Sequence, residues 1–369
     1  MKKYPFLKSP FRMGQRKTQK QGGAMLFEKH RLIPLPPATF PQFVLNKIDC
    51  NGCGRCVQTC PIQILMIEDQ KVTPNERYDA FRCIACQNCM AVCPNGAITI
   101  QGNYRVGEGF WKNAHLYSDN ETFPEPLPQH TGKPFEEYEN ELTETEKVIF
   151  KRRSVRLYKK KQVPQELVKR VIEAGRFAPS AGNNQPWKFV VIQNRQLINQ
   201  INEKCKSFIK LVTAATLPKP WLKKQIPGDK NAKLSKWQKM VLQILVRWRP
   251  GDIDPRARGG MNAVTSDPDY DIFLGAPTLI LILADKRGIG SIDLDTGICA
   301  QNMILAAHSL GLGTCYIGLI DGLQLYPKFQ EKLGVTPPFE IVTSFTLGFP
   351  QGQVDNVVKR EEARIVWFE

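Results

Sequence analysis

Apolar and polar positions along this 369-residue chain fall into two regimes. In the first, short apolar stretches flank a cysteine-dense segment: FVLNKI from Phe43 to Ile48 and GAITI from Gly96 to Ile100 read as small strands. The second begins near Glu141. Leu142 to Phe150 reads as a helix with acidic residues at its start, Pro164 to Phe177 as another, and KFVVI, Lys188 to Ile192, as a hydrophobic strand. DLDTGICAQNMILAAHSL, Asp293 to Leu310, predicts a buried helix with an Asp cap, closed by Gly311, that feeds the glycine-flanked strand start GTCYIG, Gly313 to Gly318. Between the regimes, residues 118–135 are rich in Pro, Gly and polar side chains and show no periodic apolar face, which predicts a linker.

Composition and charge narrow the class. At 42% hydrophobic the chain can bury a sizeable core, and its length suggests two or three folded units. No run of about 18 apolar residues occurs, and the N-terminal MKKYPFLKSPFRMGQRKTQK has no continuous apolar region of the secretory kind. The expectation is a soluble, cytoplasmic protein able to sit peripherally at a membrane. The net charge of +16 is local: residues 1–31 hold nine Lys/Arg against Glu28, and residues 217–260 hold eleven against Asp229, Asp252 and Asp254. The rest of the chain is balanced, with 31 basic and 31 acidic residues. That argues against a general nucleic-acid binder and allows two basic surfaces for acidic partners or anionic lipid. Within the second, Leu234, Trp237, Val241, Ile244, Leu245 and Trp248 share one helical face flanked by Lys233, Lys236, Lys239, Arg247 and Arg249. A lid or dimer contact is one reading of that helix, docking on an anionic membrane the other.

The cysteines carry the strongest chemical signal. Cys50, Cys53, Cys56 and Cys60 stand at C-x2-C-x2-C-x3-C before Pro61, and Cys83, Cys86, Cys89 and Cys93 repeat the spacing before Pro94. Each loop can wrap three thiolates around one face of a cubane, while the fourth, carried onto a short helix, reaches the other cluster. The predicted ligand sets are therefore crossed: Cys50, Cys53, Cys56 and Cys93 for one [4Fe-4S] cluster, Cys83, Cys86, Cys89 and Cys60 for the other. Zinc also takes C-x2-C pairs, but four ligands per zinc give no reason for the whole spacing and its proline to occur twice. Residues 40 to 101 resemble the bacterial two-cluster ferredoxin domain.

A second redox centre is sought in the remainder. Arg152, Arg153, Ser154 and Arg156 crowd three guanidinium groups and a hydroxyl into five residues, a set suited to a phosphate; a solvated basic turn is the plainer reading. Downstream, SAGNNQPW from Ser180 to Trp187 offers donors and acceptors of the type a flavin pyrimidine edge demands. The ordered set resembles the nitroreductase family of FMN enzymes: R-R-S-x-R from Arg152 to Arg156, PSAGNNQPW from Pro179, D-x-G-x-x-x-Q-N-M from Asp295 with its later Y-I-G, and LGFP from Leu347 to Pro350.

That resemblance covers residues 141 to 369 and carries several expectations. Arg152, Arg153, Ser154 and Arg156 would hold the FMN phosphate and ribityl chain. Ser180, Asn183 and Gln185 would lie along the ring edge, Ile317 and Gly318 against the ring, and Lys359 and Arg360 would add phosphate contacts. The implied fold is α+β: a basic extension (1–39), a small ferredoxin-like two-cluster domain (40–101), a linker (102–140), and a nitroreductase-like domain (141–369) with a mixed central sheet flanked by helices and the basic insertion 217–260. A homodimer with FMN in the subunit interface is implied too.

For function, the expectation is an iron-sulfur flavoprotein oxidoreductase passing electrons between the clusters and FMN to a small organic acceptor such as a nitroarene or quinone. Electrons would come from a ferredoxin-type donor or from NAD(P)H. No G-x-G-x-x-G follows a strand, so NAD(P)H would visit the flavin face as a diffusible donor rather than occupy its own domain. An electron-relay subunit or redox sensor serving a protein partner is the alternative. No general acid stands out among His30, His115, His130 and His308, and Cys315, Cys205 and Cys299 read as small buried hydrophobes.

Overall fold

The computed structural model describes residues 38–76, 78, 82–102, 105–106, 121–216, 256–352, 357–363 and 365–369. The basic extension lies outside the described residues except at its last two positions, as do positions 107–120 of the expected linker and the helical face from Leu234 to Trp248.

The cysteine-rich half is built from short pieces. β1 (Ala38–Thr39) precedes β2 (Gln42–Leu45), then come α1 (Arg55–Thr59), β3 (Leu65–Glu68), β4 (Lys71–Pro74), α2 (Asn88–Ala91), β5 (Ile98–Gln101) and β6 (Arg105–Val106). β2 pairs with β5 antiparallel, Phe43 opposite Ile100, so the two apolar stretches flanking the cysteines close on each other. Both short helices start from left-handed residues, Gly54 (φ 72°) and Gln87 (φ 54°). A Cβ on Gly52 (φ +69°) would lie 2.4 Å from the Gln70 carbonyl oxygen, so only glycine lets this cysteine loop approach the β3–β4 turn.

The described residues of the stretch read as linker, from Glu121 on, form regular elements. β7 (Glu121–Thr122) pairs with a C-terminal strand at Arg360–Glu361. α3 (Phe135–Tyr138) buries Phe135 and Tyr138 with Leu142 against Leu127, Phe150 and Val357. α4 (Glu144–Lys151) opens on a capping box: Thr143 Oγ1 accepts from Glu146 N–H, and the Glu146 carboxylate accepts from Thr143 N–H. α5 (Gln165–Arg176), β8 (Trp187–Ile192), α6 (Arg195–Thr216), α7 (Arg256–Ser266) and β9 (Thr278–Asp285) follow. After them come α8 (Ile292–Ser309), β10 (Gly313–Tyr316), α9 (Pro327–Lys332), β11 (Phe339–Gly348) and β12 (Arg360–Glu361).

The central sheet runs β10-β11-β9-β8 with antiparallel pairing throughout; its parallel member is the single bridge between Ser154 and Thr314, which gives the sheet its mixed character. β9 is buried on both faces. Leu279, Leu281 and Leu283 enter a core with Ile198, Ile201 and Cys205 of α6, while Ile280 and Ile282 enter a second with Val171 of α5 and Met303 of α8. This is the two-residue alternation of a strand between two helical layers. α8 ends as expected on Gly311 (φ +72°), with Leu312 N–H donating to Ala307 O and Gly311 N–H to His308 O. Its start differs from the expected Asp cap. Ser291 is the N-cap, Asp293 pairs with Lys286, and Asp295 turns elsewhere.

The two halves touch through named contacts. Gln63 Nε2 donates to Asp267 Oδ2 at 2.8 Å, Tyr270 OH donates to Pro61 O at 3.2 Å, and Val92 packs with Val155, Tyr158 and Ala276. Among the described residues, no helix is long and apolar enough to cross a membrane.

Candidate functional site

Two cavities enclose the eight clustered thiols. One is lined by Cys50, Cys53, Cys56 and Cys93, the other by Cys60, Cys83, Cys86 and Cys89. The last cysteine of each run thus lines the cavity of the other run, because α1 and α2 pack together and carry Cys60 and Cys93 across. Burial pushes the Cys56 thiol up to about 11 and the Cys83 thiol to about 12, and raises Cys89 well above its ordinary value. Burial likewise raises Cys60, opposed by the amides of Ile64, Ile62 and Gln63, which point at its sulfur. Ala97 N–H donates to Cys93 Sγ at 3.3 Å. Four thiols in an apolar pocket, with amides aimed at sulfur, form a donor set that fits an iron-sulfur cluster.

The basic run lies along β10. Ser154 bridges Thr314, and Val155 N–H donates to Thr314 O at 2.8 Å. The approach needs Gly313, where a Cβ would sit 2.6 Å from a Val155 methyl. Arg152 is made less basic first by burial and next by the Arg360 guanidinium, which β12 brings beside it. Among the described residues neither Arg152 nor Arg156 pairs with a carboxylate. Two adjoining guanidinium groups without an acid are a cradle for an anion, so Arg152 and Arg360 fit the phosphate of a flavin nucleotide. Arg153 is buried with Nη1 donating to Arg152 O, and Lys359 lies over the Phe123 ring at 5.4 Å.

The remaining predicted residues divide. Ser180, Asn183 and Gln185 form one tight turn in which Ser180 Oγ accepts from Gln185 N–H and Gln185 Nε2 donates to Asn183 Oδ1. It docks on the start of α8, where Asp295 Oδ2 accepts from Ala181 N–H at 3.0 Å, whereas Arg152–Arg156 dock on β10. Gly318 faces open space, but the Ile317 side chain is buried in the core and its N–H and C=O are taken by Ser344. Arg156 leaves its buried Nη1 without a hydrogen-bond partner. It lies near the Cys86 and Cys315 thiols and Tyr270.

Two tyrosines and an aspartate belong to the site that the sequence did not single out for it. Tyr316, 44% exposed at the end of β10, stands beside Arg152, its phenol pushed up to about 12 mainly by burial. Tyr270 joins the two halves, and Asp295 fixes the Ser180–Gln185 turn. The available signal was position: Tyr316 and Asp295 stand inside the motifs, yet their types also suit packing and capping.

Comparison with known proteins assigns both halves of the chain to families. A model described as the Nitroreductase family matches residues 149–349, more than half of the chain, and one described as a 4Fe-4S dicluster domain matches residues 49–104. The 4-nitrobenzoate reductase of Nocardioides sp. is 26% identical over 223 residues, covering 58% of this chain and 85% of that protein. Iodotyrosine deiodinase 1 of Mus musculus is 33% identical over 93 residues, covering 25% of this chain and 33% of that protein. A crystal structure of a nitroreductase with bound FMN from Bacteroides fragilis is 23% identical and covers 62% of this chain and 100% of that one, with a TM-score of 0.43. The chain belongs to the nitroreductase family, and it joins the family's domain to an N-terminal dicluster ferredoxin domain. It is an FMN-dependent oxidoreductase of the nitroreductase type that also carries two [4Fe-4S] clusters.

Proposed function

We propose that this oxidoreductase, acting as a homodimer, passes electrons between its two [4Fe-4S] clusters and FMN and reduces a small organic acceptor, a nitroarene or quinone, with electrons from a ferredoxin-type donor or NAD(P)H. When bound, the clusters would supply electrons singly, and FMN would take them one at a time and deliver them as a pair, which would connect a one-electron donor to a two-electron acceptor. The observation that carries this reading is the docking of one thiol cavity on the flavin-type domain: Pro61, next to Cys60, is tied to Tyr270, and Cys86 lies against Arg156.

In this reading the chain divides into a cluster domain over 40–101 and a flavin domain over 141–369. Cys50, Cys53, Cys56 and Cys93 hold one cluster, and Cys60, Cys83, Cys86 and Cys89 hold the other, as the two four-thiol cavities suggest. Arg152, Arg153, Ser154 and Arg156 bind the phosphate and ribityl chain together with Arg360, with Lys359 close behind. Ser180, Asn183 and Gln185 hydrogen-bond the ring edge, and Gly318 leaves room for its face. A second copy is favoured by the docking of the ring-edge turn and the phosphate cradle on different elements, and by the exposed Ile365, Val366, Trp367 and Phe368.

The test is anaerobic mixing with a photoreduced bacterial-type ferredoxin, followed by product analysis with nitroarenes and quinones. Bleaching of the flavin after the clusters, with acceptor turnover, is the expected result. Flavin reduction by NAD(P)H alone, with the clusters left oxidised, overturns the ferredoxin-driven route. A reducible flavin without turnover of any small acceptor leaves an electron relay instead.

A further inference from the structure

Two hydrogen bonds between the halves involve one loop of the second domain. Gln63 Nε2 donates to Asp267 Oδ2 at 2.8 Å, and Tyr270 OH donates to Pro61 O at 3.2 Å, so the chain after Cys60 is held by the segment 267–270. That segment is braced from behind by α6. Asn202 and Lys206, four residues apart, share one face of the helix. Asn202 Oδ1 accepts from Ile272 N–H at 2.9 Å, Asn202 Nδ2 donates to Tyr270 O at 3.4 Å, and Lys206 Nζ donates to Pro268 O. Proline has no N–H, so its carbonyl is the backbone handle by which position 268 can be held. Lys206 is 2% exposed, and its ion-pair partner is the exposed Glu203, at 3.4 Å. Burying an ammonium is costly, and packing alone would be served by an apolar side chain beside Cys205 in the core.

We propose that Lys206, with Asn202, is a positioning residue for electron transfer between the halves: by bracing the loop 267–270 it holds Pro61 and Gln63, and with them the cluster domain, in fixed alignment with the flavin domain. The inference rests on the electron route proposed above. Other contacts join the same halves. Met261 of α7 packs on the core of the cluster half, Val92 packs with Val155, Tyr158 and Ala276, and Arg55 approaches Gly352. Apolar burial is non-directional, whereas hydrogen bonds have a required geometry, so the braced loop sets the alignment that the apolar contacts then cement. On this route a ferredoxin-type donor is oxidised as it reduces a cluster, and the cluster is oxidised as it reduces the flavin. Two such transfers, with protons taken from solvent, complete the reduction of FMN. Each transfer depends steeply on the separation of the centres, which makes alignment a kinetic property of the molecule and not of either cofactor site.

The experiment is anaerobic stopped-flow mixing of the full holoprotein with a photoreduced bacterial-type ferredoxin, for wild type, Lys206→Met and Gln63→Asn. Asn suits the left-handed backbone at position 63 (φ 51°), but its shorter side chain falls short of Asp267. The rate read is flavin bleaching after cluster bleaching. Expected is a fall of about tenfold in K206M, the scale of a sub-ångström to ångström misplacement, and a smaller one in Q63N. Iron content, FMN content and the reoxidation of chemically reduced flavin by a nitroarene should stay as in wild type, since none of them needs the halves aligned. Unchanged transfer in both variants overturns the inference, and so does slow transfer accompanied by equal loss of flavin reoxidation or of cofactor, which would make Lys206 a stability residue. If K206M does not fold, Q63N decides: slower transfer supports the inference and an unchanged rate overturns it. A wild type whose reduced clusters leave the flavin oxidised overturns the electron route and this inference with it, whereas transfer equally fast in wild type and variants overturns this inference alone.

Discussion

Each thiol cavity is closed by one local stretch of chain, between Phe43 and Ile100, in an apolar lining. The phosphate cradle is the reverse: it is charged, and it draws Arg152 and Arg360 from the two ends of the second domain. Local loops can position thiols because the spacing of the cysteines already does most of the geometry. A cradle of like charges must be held together against its own repulsion, and here β12 against β7 and Val155 against Thr314 do so. The cluster half should therefore fail cysteine by cysteine, and the cradle by graded loss of affinity.

The largest effect tests the crossing. Cys93→Ala should remove the same cluster as Cys53→Ala, and Cys60→Ala the same one as Cys86→Ala, each lowering bound iron by about half. Iron content and the resonance spectrum of the surviving cluster read the result. A Cys93→Ala protein whose spectrum matches that of Cys86→Ala would show uncrossed sets. Next in size, Arg152→Ala or Arg360→Ala should weaken FMN about ten- to hundredfold, the range of one or two charge-assisted hydrogen bonds. The double variant should lose less than the two combined, because removing one guanidinium relieves the other. Fluorescence titration of flavin-free protein measures this, and iron content should stay unchanged; parallel loss of iron would break the contrast between the two regions.

A smaller effect comes from thiols outside the clusters. Burial pushes Cys205 and Cys299 up to about 12. Above about pH 8.5 an unfolded chain releases such protons while the folded one keeps them, so stability falls as pH rises through that window. Melting temperatures between pH 8 and 10 should decline, and Cys205→Ala with Cys299→Ala should flatten the decline; an unchanged slope would place its origin elsewhere.

How much of this was legible in the sequence depended on range. The helix expected from Pro164 to Phe177 runs Gln165–Arg176, and the one expected to Leu310 ends at Ser309, because turn-forming residues mark both. The run Thr278–Asp285 gave no alternation to read, since helical layers cover both faces of β9 and both therefore demand apolar side chains. Leu127, Phe135 and Tyr138 looked like linker because the partners that bury them, Phe150 and Val357, are remote or lie at the far C-terminus. At the site, cysteine spacing carried the cluster sets, and the basic motif carried Arg152. The contact between the two halves was not readable: it depends on how two domains dock, and no local spacing encodes Tyr270 against Pro61.

The smallest effect asks whether the cradle depends on its approach. α4 ends at Lys151, immediately before Arg152, so the helix aims the basic run, and its far end is fixed by the Thr143 and Glu146 capping box. Thr143→Ala should cost about 1 kcal/mol of helix stability. If all of that were transmitted, FMN affinity would fall about fivefold, and fraying confined to the first turn would transmit less. Glu146 is held below the usual carboxylate range by its bonds to Thr143, so this support is present above that range and is lost as pH falls through the lowered value. In the variant, FMN affinity should become less sensitive to acid than in wild type, while cluster content stays the same. An affinity unaltered at every pH would mean that β10, through Val155 and Thr314, holds the arginines without help from the helix before them.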